Sequence, residues 1–202
     1  VVPGEGADLT AKSADVCDNA GNCSTGTVDG IQIDRTKPDI TVSGVEAGKT
    51  YTLGAVPTAA CSATDGLAGI AGACTAAQTG GNANGVGEFT YTATATDKAG
   101  NTRTASTTYR VVYRFDGFLQ PINDPLLVSG AARSVFKSGS AVPVKFQVKR
   151  ADGTLVDPTV APQWLAPEKG AATSATVNEA VWTDPATSGT TFEKTGDQWH
   201  YN

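Results

Sequence analysis

Residues 89–113 read FTYTATATDKAGNTRTASTTYRVVY. Phe89, Tyr91, Ala93 and Ala95 alternate with Thr90, Thr92, Thr94 and Thr96. A period of two, with β-branched polar side chains on one face, is the pattern of a half-buried strand. DKAGN, 97–101, reads as a turn in which the Asp carboxylate accepts backbone N–H groups and Gly100 or Asn101 supplies a left-handed residue. Residues 102–113 then return as the partner strand. The stretch predicts a long β-hairpin. No window of helical length elsewhere carries a clear 3.6 period, so the chain is expected to be all-β with almost no helix.

The turn occurs twice. DNAGN at Asp18–Asn22 precedes DKAGN at Asp97–Asn101 by 79 residues. Ser13, Ala14 and Val16 lead into the first copy, and Thr92, Ala93 and Ala95 into the second. Each copy is followed by a Thr/Ser-rich run ending in apolar alternation, IQI at 31–33 and YRVVY at 109–113. A repeating unit of about 80 residues built of short strands has the size of a small immunoglobulin-like sandwich. IDRTKPDI, 33–40, joins the copies; Pro38 removes a donor and biases Lys37 to extended conformations, which suits a short, stiff linker. Residues 1–36 therefore read as the C-terminal part of one such domain and 37–112 as a complete one.

Residues 113–202 read as a third β domain. In VPVKFQVK, 142–149, Val142, Val144, Phe146 and Val148 share one face, and Pro143, Lys145, Gln147 and Lys149 the other. Pro143 implies an edge strand or a bulge. ADGT at 151–154 is a hairpin turn signal, and SATVNEAVW at 174–182 and QWHYN at 198–202 read as further strands. The sequence lacks Met and stops within a strand-like pattern at both ends, so a piece of a longer chain is expected, with the third domain truncated. The predicted architecture is tandem immunoglobulin-like β-sandwich domains.

Four cysteines fall as two close pairs, Cys17/Cys23 and Cys61/Cys74. Cys17 and Cys23 bracket the first turn where Thr96 and Thr102 bracket the second. Cross-strand Thr pairs are ordinary sheet stabilisers, and a disulfide can take the same place. Chemistry that needed thiols would not tolerate that exchange. Zinc would need about four ligands in a chain with one His, and a redox motif favours a CxxC spacing that is absent. Two disulfides are expected, hence an oxidising compartment, extracellular or at the cell surface. On the chain-entropy model they contribute roughly 2 kcal/mol for the 17–23 loop and roughly 3 for the 61–74 loop.

The 202 residues carry a net charge of −5, against the clustered cations that nucleic acid requires. No run of about 18 apolar residues could cross a membrane. Asp18, Asp34 and Asp97, with Asp39, lie near the predicted domain junction and could converge on calcium. That ion wants about six to eight oxygens and no DxDxDG-type loop is present, so a local turn role is favoured over a metal role. No other cofactor is expected. There is no GxSxG, HExxH or P-loop, and His200 is the only histidine, so no catalytic residue is assigned.

YTATATDKAGNTRTASTTYRV, 91–111, with DRTKPDITVSG upstream at 34–44, resembles bacterial immunoglobulin-like and hyalin-type repeats of secreted and surface proteins. FDGFLQPIND, 115–124, and FKSGSAVPVKFQVK, 136–149, resemble the PxKF domain of secreted actinobacterial proteins, with Pro143, Lys145 and Phe146 as the namesake residues. The resemblance implies modules appended to other domains, with no enzymatic role of their own. The expected function is a non-catalytic extracellular spacer or adhesion module. Its partners would be neighbouring domains of a larger chain and a cell-wall or polysaccharide surface. The alternative is a carbohydrate-binding accessory module of a glycan-active enzyme, with Trp164, Trp182, Trp199 and Tyr201 stacking on sugar rings. Against that stands the ordinary use of such rings to fill a small core.

Overall fold

The computed structural model describes residues 4–123, 129–130, 132, 134–137, 142–163 and 191–201. The described residues form an all-β chain of several sheets, with no helix among them. The strands are β1 Gly6–Lys12, β2 Val16–Cys17, β3 Cys23–Ser24, β4 Thr27–Ile33, β5 Asp39–Ser43, β6 Thr50–Thr52, β7 Ala60–Thr64, β8 Thr75–Gly80, β9 Gly87–Thr96, β10 Thr102–Val112, β11 Val144–Phe146, β12 Glu193–Thr195 and β13 Gln198–Tyr201. The expected strand at 174–182 lies outside the described residues. Among the described residues no helix is long and apolar enough to cross a membrane.

The quoted stretch forms the central hairpin, β9 and β10, of a four-stranded sheet ordered β6-β10-β9-β8. Its two faces follow the alternation. On one, hydroxyls pair across the strands: Thr90 with Thr108, Thr92 with Ser106, Thr94 with Thr104 and Thr96 with Thr102, at 2.9–3.4 Å. On the other, Ala93, Ala95 and Tyr109 are buried. β8 pairs antiparallel with β9 from Thr75↔Thr94 to Gly80↔Phe89. Its sequence, TAAQTG, has little strand propensity. A ladder against a neighbour already held in place satisfies its backbone all the same.

The earlier copy makes the same hairpin in pieces. β1 pairs with β4 and β2 with β3, both antiparallel, with register shifts between Gly6 and Leu9 and between Leu9 and Ala11. Between the two ladders, Ser13 N–H donates to the Gly26 carbonyl at 2.9 Å, and the Ser13 hydroxyl accepts from Gly26 N–H. β5, following Pro38, pairs with β7 from Asp39↔Thr64 to Ser43↔Ala60.

Two compact units result, the described parts of 1–50, 57–80 and 88–110 and those of 51–56, 81–87 and 111–202. Pro38, Val45, Ala93, Ala95 and Tyr109 are buried in the first unit. The Tyr109 hydroxyl is not left bare there, since it donates to Gln78 Oε1 at 2.9 Å. In the second unit Phe146, Val148, Phe192 and Trp199 form a buried cluster, with Phe146 edge-on to Phe192 at a centroid distance of 5.0 Å. Fully burying each such side chain contributes roughly 1.5–3 kcal/mol. Phe146 and Val148 are thus inward, as the alternation at 142–149 requires. The regular strand is shorter than that run and covers only β11. It begins after Pro143, which has no N–H to give a ladder, and it is the edge of a sheet ordered β11-β13-β12. From Gln147 to Leu155 the described chain pairs by single bridges, Lys149 with Arg114 and with Leu155. The 151–154 turn is present, with Gly153 N–H on the Arg150 carbonyl and Thr154 N–H on Asp152 Oδ1.

Candidate functional site

The two DxAGN turns share one hydrogen-bond plan. Asp97 N–H donates to the Asn101 carbonyl at 3.0 Å and Gly100 N–H to the Asp97 carbonyl at 3.2 Å. The Asp97 carboxylate accepts from Asn101 N–H on Oδ1 and from Asn101 Nδ2 on Oδ2, both at 2.8 Å. In the first copy Asp18 makes the same contacts with Asn22 and Gly21, and its Oδ1 also accepts from Ala20 N–H. Gly21 and Gly100 hold φ of 86° and 91°, the left-handed region that glycine enters without a Cβ penalty. The cross-link position differs. Thr96 and Thr102 share a hydrogen bond of 2.9 Å. Cys17 and Cys23 lie at disulfide distance, with sulfurs 2.01 Å and Cα atoms 4.0 Å apart. Cys61 and Cys74 form the second pair, with Cα atoms 6.0 Å apart.

Burial separates the copies. Asp18 is exposed, whereas Asp97 is 1% exposed and lies in an acidic cluster. Asp34, Asp65 and Asp97 each place a carboxylate oxygen within 4.8 Å of the other two. Each comes from a different segment. Asp34 opens the junction before Pro38; its Oδ1 accepts from Thr36 N–H and its Oδ2 from Ala68 N–H, both at 2.9 Å. Asp65 caps the loop after β7, where its Oδ1 accepts from Leu67 and Gly69 N–H. Asp97 begins the second turn. Asn101 Nδ2 also reaches the Asp34 carbonyl at 3.2 Å, tying turn to junction.

The electrostatics follow from these contacts. Burial raises the Asp34 carboxyl above the ordinary aspartate range; the adjacent Asp65 charge adds to the rise, and N–H bonds from Thr36 and Ala68 offset part of it. For Asp97, burial pushes upward as well, but the Asn101 amide and the turn's backbone N–H groups outweigh it and leave the carboxyl below that range. Asp18 is lowered by the Asn22 side chain first, then by backbone N–H groups. The cluster therefore combines an acid that holds its proton more tightly than usual with one that releases it readily. With one oxygen from each, the three carboxylates supply at most half of the about six to eight oxygens a calcium ion takes, and five of their six oxygens already accept N–H bonds.

Of the acids singled out from the sequence, Asp34 and Asp97 are brought together, while Asp18 stays in its own turn. Asp39 pairs with Arg103 instead. Asp65 joined the cluster unannounced; the only hint was its DG turn signal at 65–66. Among the aromatics, Trp199 is 5% exposed within the Phe146 cluster and so has no face free for a sugar. Tyr201 is half-buried and packs on Phe192 at 5.3 Å. Trp164 and Trp182 lie outside the described residues. Comparison with protein-family models, with curated proteins and with solved structures gives no match.

Proposed function

We propose that this chain is a non-catalytic structural module, a spacer or adhesion element of a larger secreted or cell-surface protein. In this reading 1–36 and 37–112 are immunoglobulin-like repeats of the hyalin-type kind and 113–202 is a PxKF-like domain. The observation that carries it is the duplicated turn, the same hydrogen bonds at 18–22 and 97–101 with a Cys pair in one copy and a Thr pair in the other. A turn that keeps its hydrogen bonds when its cross-link is exchanged for a hydroxyl pair serves by its shape rather than by its thiols, and shape is what a spacer supplies. Two close cysteine pairs favour an oxidising, extracellular location. The glycan-binding alternative loses Trp199 to the core and would have to rest on the other rings.

The test is retention by insoluble polysaccharides and cell-wall material, run beside single-molecule extension of the chain. The spacer reading expects no retention and stepwise lengthening that falls short of a fully extended chain by the residues locked in the 17–23 and 61–74 loops. Retention by cell-wall material alone would replace the spacer with the adhesion reading, and specific retention by a purified polysaccharide would replace both with the carbohydrate-binding reading.

A further inference from the structure

The two disulfides sit in unlike surroundings. Cys17 and Cys23 are both exposed and bracket an exposed turn, whereas Cys61 and Cys74 are half-buried and join β7 to the residue preceding β8. An external thiolate must reach a sulfur along the S–S axis, so access sets the rate of attack. The second turn, buried at Asp97 where the first is exposed, shows that the turn's own hydrogen bonds form without a disulfide. With Thr96 and Thr102 in place of the cysteines, the hydrogen bonds of 97–101 keep the same form. Cys17 and Cys23 also form a cross-strand pair next to the 18–22 turn, so the β2–β3 ladder sets the two residues opposite each other.

From this we infer that Cys17–Cys23 is a thiol-exchange site that opens and closes in the native protein, and that it takes small cationic or neutral thiols in preference to anionic ones. In the first step a thiolate attacks one sulfur. The S–S bond breaks, a mixed disulfide forms and the other cysteine leaves as a thiolate. A second thiolate then attacks the external sulfur of the mixed disulfide, releasing the second cysteine and one molecule of oxidised thiol. Two external thiols are oxidised for each protein disulfide reduced. Closure with a small disulfide runs the same steps backwards. The charge preference comes from the hairpin itself, where exposed Asp15, Asp18 and Asp29 outnumber Lys12, and Asp18 is held ionised by Asn22. A thiol that carries its own negative charge meets this field, and salt weakens the effect.

The full chain is treated, without denaturant, with cysteamine, 2-mercaptoethanol or mercaptoacetate, quenched with N-ethylmaleimide and mapped by peptide mass. Rates are normalised to thiolate concentration and to each thiol's rate on a neutral model disulfide. Labelling of Cys17 and Cys23 is expected to run at least about tenfold ahead of Cys61 and Cys74, with the folded circular-dichroism signal retained. Removing the thiol and adding cystamine should restore the Cys17–Cys23 link. Normalised rates should fall from cysteamine to mercaptoacetate at low salt and converge at high salt. Equal labelling of the two pairs, earlier labelling of Cys61 and Cys74, or loss of the folded signal as Cys17–Cys23 opens would overturn the exchange site. Equal normalised rates for the three thiols at low salt would overturn the charge preference.

Discussion

The turns at 18–22 and 97–101 share a sequence plan and a hydrogen-bond plan, yet they occupy opposite environments. The first ends a broken, exposed hairpin and is closed by a disulfide. The second ends a continuous hairpin, is buried at Asp97 and is closed by a pair of hydroxyls. A covalent staple stands where packing is thin, and a hydroxyl pair suffices where the sheet and core already hold the strands. The difference teaches that the turn itself is local and portable, while the means of securing it depends on what surrounds it.

The sharpest way to break this comparison is to make one change in both copies. Asp97→Asn should give the largest loss of stability, because one half-buried Asn101 donor would then face an N–H group of a buried side chain instead of an oxygen. Asp18→Asn loses the matching contact at an exposed site, where water replaces it, and should shift the urea midpoint far less. Similar losses in the two variants would mean that burial does not distinguish the turns.

Ala93 and Ala14 occupy equivalent positions in the copies, one with 0% exposure and the other exposed. Ala93→Leu overfills a closed site and should cost about 1–3 kcal/mol by chemical denaturation. Ala14→Leu should stay within about 0.5 kcal/mol.

Exchanging the cross-links sharpens the comparison further. Cys17→Thr with Cys23→Thr should lose up to about 2 kcal/mol on the chain-entropy model. The new Thr pair returns about 0.2–1 kcal/mol of that. Thr96→Cys with Thr102→Cys, oxidised, should gain less than the first copy loses, since the strands it joins are already restrained by packing. Calorimetric midpoints under oxidising conditions measure both.

The smallest effects are in acid. Asp18 and Asp97 have folded-state pKa values below the ordinary range, so each adds stability at pH above that range and loses it as pH falls through the folded value. Asp34 has the opposite sign. Its raised value means the folded chain binds the proton more tightly, so its share of stability declines as pH rises from the ordinary aspartate range through the raised value. Carboxyl-carbon NMR titration should place Asp34 above Asp18 and Asp97. The reverse order would break the electrostatic contrast between Asp34 and the two turn aspartates.

The hairpin of 89–113 was legible because its signals are local. Alternation sets the faces, and the Asp, Gly and Asn of the turn satisfy one another within five residues. The run at 142–149 was legible in part: Phe146 and Val148 point inward as their spacing requires, but Pro143 and the single bridges at Lys149 cut the regular strand to three residues. β8 was not legible, because Ala, Gln and Gly have no strong strand preference and its conformation comes from pairing with β9. Nor could the role of Asp65 be read, since it meets Asp34 and Asp97 only after three segments fold together.

By itself, then, the sequence determined the all-β character, the two turns, their glycine and asparagine requirements and the pairing of nearby cysteines. All of these rest on residues close in the chain, so their signals can be read locally. The tertiary structure decided which copy of the turn is buried, that Trp199 serves the core, and that Asp34, Asp65 and Asp97 share a site. The contact from Asn101 to Asp34 spans 67 residues. Its energy depends on a low-dielectric neighbourhood assembled from distant segments, and no local pattern encodes that neighbourhood.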